Sequence, residues 1–298
     1  MTQRRFGRLA AIGAVLLAAC LALSAWFVVR VRAANASHAV SSLLIEPRHA
    51  VAKAARPQPV TVAAPLAACE ARIEGQPRRL PTVAIVGASY TAGEGPNNPE
   101  LSWAVKLASQ LRWNAVIYGV PGAGYVRSSA SGRGPMARML TAEGLRRLDP
   151  ALVIVQAGHD DLGVPPPVEQ RRVGTTVGLI RAAAPGAWVA LMTTFAAGSV
   201  TGSPQLQRLD QAIIAAGTKT DPEIIIMDPL GQRWTFPRAS DGLHPTAAGD
   251  AWIARTAAAI LAAHGIRPAP VAPTAPVICD VSVGVRKPPV NKQAVKTA

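Results

Sequence analysis

The chain has 298 residues, 49% of them hydrophobic, and a formal net charge of +14. The charge sits in the arms: residues 1–80 hold 11 Lys/Arg against 3 Asp/Glu and residues 265–298 hold 5 against 1, which leaves 81–264 near neutrality at 15 against 13. That distribution argues against a nucleic-acid partner, whose binder carries its basic face on the folded unit, and fits basic arms beside an anionic lipid or envelope polymer.

Arg4, Arg5 and Arg8 precede 21 uncharged residues, Leu9–Val29. The run is long enough to span a bilayer, at about 20 residues, and its basic flank predicts an N-inside orientation. An uncleaved signal anchor within 1–32 is the first expectation. A cleaved signal peptide with Ala34-Asn35-Ala36 as its site and a lipobox at Leu17-Ala18-Ala19-Cys20 are the alternatives. Each places the remainder outside the cytoplasm, at the membrane or secreted. Residues 33–80 read as an Ala/Pro-rich linker, and 267–298 as a Pro-rich basic tail. Cys69 and Cys279 stand on either side of the unit between them, which in an exported chain predicts a disulfide.

Within 81–266 short apolar runs alternate with segments of helical period. The predicted strands are Val83–Val86, Ala115–Tyr118, Ala151–Gln156, Trp188–Thr193 and Glu223–Met227. The predicted helices are Ser102–Leu111, Pro135–Leu148, Val168–Ala184, Pro204–Thr218 and Thr246–His264. Five such pairs specify one α/β domain: a five-stranded parallel sheet with helices on both faces, wound in flavodoxin fashion.

In that arrangement the ends of the strands share one edge, where ligands bind. Ser89 follows the first strand, Gly119–Gly124 the second and Gly158-His159-Asp160-Asp161 the third. Asp241-Gly242-Leu243-His244-Pro245 precedes the last helix. An Asp three residues before a His, with a Gly between, lets the carboxylate fix the imidazole tautomer and frees the other nitrogen to take a serine proton. Nothing has metalloprotease spacing and there is no phosphate-binding G-x-x-x-x-G-K-[ST], so neither a metal nor a cofactor is expected. Trp188 and Trp252 are expected in the core. Trp234 and Phe236, before Asp241, are candidates for substrate contact.

The blocks GASYTAG, VPGAG, AGHDD and DGLHP, in that order, resemble the SGNH (GDSL-like) hydrolase superfamily over about residues 82–264. The resemblance implies a three-layer flavodoxin-like fold and cleavage or transfer of ester-linked acyl groups without a cofactor. It implies Ser89 as nucleophile, His244 as general base and Asp241 as its orienting acid. The N–H groups of Ser89 and Gly122 correspond to oxyanion-hole donors, with glycine at 122 expected to allow close approach to the oxyanion. Two residues depart from the pattern. Ala88 replaces the Asp of G-D-S, with an expected cost in loop rigidity, and Asp160 stands where the family has the third oxyanion donor, an Asn. An ionised Asp cannot donate, and losing such a donor costs on the order of 10²–10³ in rate; His159 is a candidate substitute. The expected substrate is an acylated small molecule, lipid or envelope glycan. The rival readings are an O-acyltransferase on the same fold and a non-catalytic envelope-binding protein that keeps it.

Overall fold

The computed structural model describes residues 64–76, 80–198, 202–270 and 275–282. The apolar run 9–29, with its anchor, signal and lipobox readings, lies outside the described residues, as does most of the basic tail. Among the described residues no helix is long and apolar enough to cross a membrane.

Six strands form one all-parallel sheet: β1 (Thr82–Gly87), β2 (Asn114–Gly119), β3 (Leu152–Gln156), β4 (Trp188–Met192), β5 (Ile225–Met227) and β6 (Ile278–Asp280). Their order across the sheet is β5-β4-β3-β1-β2-β6. Every residue of β1 is buried, because both faces are covered, as an uninterrupted apolar run predicts. Val83 and Ile85 join a core layer with Trp103, Leu107 and Ile253, whereas Ala84 and Val86 join the opposite layer with Val173, Val177 and Ile213. The helices making those layers are α3 (Trp103–Leu111) and α8 (Ala247–Ala263) on one face, and α6 (Pro166–Ala183) and α7 (Pro204–Thr220) on the other. Strand order reverses between β1 and β3, which opens a crevice at their carboxyl ends.

The structure departs from the sequence expectations in four places. The sheet has a sixth strand: the segment read as tail pairs with β2, Cys279 opposite Val116. Residues read as linker include α1 (Ala64–Glu74), whose Ile73 is fully buried. Cys69 on α1 and Cys279 on β6 are disulfide-bonded, with Cα atoms 5.9 Å apart, and Glu70 of α1 pairs with Arg147. The helix expected over Pro135–Leu148 is two, α4 (Met136–Met139) and α5 (Ala142–Leu148). Thr141 interrupts it, because its hydroxyl accepts from Gly144 N and caps a new N-terminus. Trp188, expected in the core, is 42% exposed at the start of β4.

Candidate active site

Ser89 opens a four-residue helix, α2 (Ser89–Ala92), directly after β1. Ala88 gives it no side-chain cap. The rigidity that an Asp at 88 would supply comes instead from Gln156 at the end of β3. Its Oε1 accepts from Ala88 N at 3.2 Å and from Thr91 Oγ1 at 2.9 Å. Tyr90 holds the other side: its ring stacks on Phe195 at 4.2 Å and its hydroxyl donates to Leu243 O at 2.6 Å. The nucleophile loop is thereby tied to the loop that carries His244.

That second loop is built around one carboxylate. Asp241 Oδ1 accepts from the amides of Leu243 (2.8 Å) and His244 (2.9 Å), and Oδ2 lies 2.7 Å from His244 Nδ1. Since a carboxylate only accepts, Nδ1 carries the hydrogen and Nε2 presents its lone pair. Burial raises the Asp241 pKa slightly, but the bonds from the His244 ring and the two amides outweigh it and hold the carboxyl below its ordinary value. His244 Nε2 is buried without a hydrogen-bond partner. Arg238 braces the loop, donating to Leu243 O at 3.1 Å and Ala196 O at 2.8 Å.

Gly122 has φ +77°. A Cβ there would meet no protein atom closer than Ser129 Cα at 3.6 Å, so the left-handed backbone conformation is itself a reason for glycine. The third loop is a 3₁₀ turn, His159–Asp161. Asp160 is half-buried there; burial, then the charges of Asp161 and Glu94, push its carboxyl up to about 6 against the opposing pull of His244 and Arg127. Asp161 is fully buried and accepts from the amides of Tyr125, Val126 and Arg127 at 2.5, 3.3 and 2.9 Å, so it fixes the stretch that follows Gly122. His159 is driven toward its neutral form by burial and then by His244 and Arg238; its ring bonds the carbonyl of Phe195, and its Nδ1 is buried unpartnered.

Trp234 and Phe236, the candidates for substrate contact, lie in the segment before Asp241. Each is 6% exposed and packs in an aromatic cluster with Phe195 and Trp252. Both line a hollow of about 350 Å³ together with Ala196, Leu230, Arg233 and Arg238. One residue at the site was not apparent in the sequence. Glu94 Oε2 lies 3.5 Å from His244 Nε2. It sits in a polar loop five residues after Ser89, and only the fold turns it back onto the histidine. Among the described residues no three His, Cys, Asp or Glu are grouped to hold a metal ion.

A doubly wound sheet with a serine after β1 and an Asp–His pair before the last helix defines a class of three-layer α/β enzyme with its site on the strands' carboxyl edge. The chain belongs to the GDSL-like lipase/acylhydrolase family, whose pattern it matches over residues 85–252, more than half its length. The fold is shared with a carbohydrate acetylesterase from Sinorhizobium meliloti (17% identity, 62% of this chain and 99% of that one, TM-score 0.51). It is shared with an M. smegmatis aryl esterase (15% identity, 62% and 99%, TM-score 0.50). A salicylyl-acyltransferase from a tetracycline biosynthetic pathway is also similar (16% identity, 65% and 57%, TM-score 0.52). No curated protein matches the chain in sequence. The family is one of lipases and acylhydrolases, and the neighbours share its fold.

Proposed function

We propose that the protein is an extracytoplasmic serine hydrolase of carboxylic esters working through Ser89, His244 and Asp241. The observation that carries this reading is the Asp241–His244 pair, 2.7 Å apart, with Nε2 left open on a loop tied to the serine loop. Ser89 Oγ bonds to the ester carbonyl carbon while its proton passes to His244 Nε2. The oxyanion is met by the amides of Ser89 and Gly122. The carbon–alcohol bond then breaks, the alcohol oxygen takes the proton from Nε2, and an acyl-Ser89 remains. Water, deprotonated by the same nitrogen, bonds to the acyl carbon; the bond to Ser89 Oγ breaks, Oγ takes the proton back from Nε2, and the acid leaves. Transfer to a sugar hydroxyl would differ only in that last acceptor. No step calls for a cofactor. The Cys69–Cys279 disulfide and the apolar run 9–29 support a location outside the cytoplasm, which suggests an acylated envelope glycan or lipid as substrate.

The test is labelling of the full chain with a fluorophosphonate probe beside Ser89→Ala. Labelling that vanishes in the variant is expected; labelling that persists, or none in the parent, would overturn the hydrolase and favour a binding protein on this fold.

A further inference from the structure

Glu94 has no part in the steps above, yet its carboxylate lies beside the proposed base. Its Oε2 lies 3.5 Å from His244 Nε2, the atom that hands the proton to the departing alcohol. The side chain is 34% exposed, so it borders the crevice from the solvent side. Its backbone is fixed from two directions. Glu94 N donates to Ser89 O at 3.2 Å, and a Cβ on Gly95 would fall 1.8 Å from Pro245 O. The stretch from Ser89 to Gly95 is thus wedged backbone-to-backbone against the residue after His244, which fixes the Glu94 backbone beside the histidine.

A carboxylate only accepts hydrogen bonds. Beside Nε2 it repels an anionic alcohol, gives nothing to an alkyl one, and rewards one that donates. With the ester's alcohol oxygen placed to receive the proton from Nε2, a hydroxyl on the neighbouring carbon comes within reach of Oε2. We propose that Glu94 selects esters of polyhydroxylated alcohols by accepting a hydrogen bond from the hydroxyl next to the esterified oxygen. This rests on the Ser89–His244–Asp241 reading.

Ethylene glycol monoacetate and propyl acetate differ by a hydroxyl in place of a methyl and isolate the contact. The ratio of their kcat/KM values is measured for the full chain and for Glu94→Ala and Glu94→Gln, with thermal melts confirming folding. A hydrogen bond to a charged acceptor corresponds to about tenfold or more in that ratio. The parent should favour the glycol ester by that factor, Glu94→Ala should abolish the preference, and Glu94→Gln, which keeps an acceptor oxygen, should retain part of it. A parent ratio near one, or a preference that survives in Glu94→Ala, overturns the proposal while Ser89-dependent turnover of both esters leaves the hydrolase standing. Turnover that persists in Ser89→Ala overturns both.

Discussion

In the proposed hydrolase, Asp160 stands at the third donor position of the oxyanion hole. Its carboxyl, pushed to about 6 mainly by burial, is an O–H donor below that pH and an acceptor-only anion above it. An amide donates throughout. Asp160→Asn should therefore raise kcat on p-nitrophenyl acetate near pH 8, toward the roughly 10²–10³ that one oxyanion donor is worth. The gain should shrink toward pH 5, where the acid is already protonated. The ratio of variant to parent kcat, followed from about pH 5 to pH 8, is the measurement. A ratio that is flat, or below one at the alkaline end, would mean that Asp160 serves the site as an anion. Glu94 sharpens the expectation: its charge helps raise Asp160, so Glu94→Gln should move the midpoint of the parent profile downward.

At the scale of elements, two tethers hold the site's rim. Asp161 gathers three backbone amides from residues 125–127. Asp161→Ala would leave the buried Tyr125 amide without its acceptor, at about 1–3 kcal/mol, and would loosen the segment after Gly122. Chemical denaturation should show a loss of a few kcal/mol, and kcat should fall more than KM rises. The second tether is the disulfide. Replacing Cys279 with Ser should cost about 2–5 kcal/mol, read by the same denaturation, because β6 pairs over only three residues. The sequence made the strand ends legible because each core strand is an apolar run closed by glycine or a polar residue, a pattern burial on both faces demands. It hid β6, which is held by what lies far away in the chain: Val277 N bonds Asn114 Oδ1 at 2.9 Å, and Cys279 bonds Cys69. The Asp241–His244 contact, 2.7 Å, could be read from local spacing, and the place of Ser89 after β1 from the apolar run before it. The burial of Trp234 and the return of Glu94 onto His244 could not, since both are set by contacts between loops distant in sequence.

Across the whole molecule, buried acids set the pH at which the fold is safest. Glu169 in α6 is fully buried and is pushed up to about 9, first by burial and then by the charge of Asp161. Asp250 in α8 is also fully buried and reaches about 8, burial outweighing its bond from Trp103 N at 2.9 Å and the attraction of Lys106. In the unfolded chain both would titrate near the ordinary carboxylate range, about 3.9–4.3. Between that range and 8 to 9 the folded state therefore binds protons that the unfolded chain has released. The number bound is larger in the native state, so stability falls as pH rises through this window. The melting temperature should be highest in mild acid and decline toward pH 9. Glu169→Gln and Asp250→Asn should each flatten the decline, and the double variant should lie flatter than either, since the acids sit in separate layers of the core. Melts across about pH 5 to 9 for the four proteins test this, and a parent whose melting temperature climbs with pH would show that neither acid is held protonated.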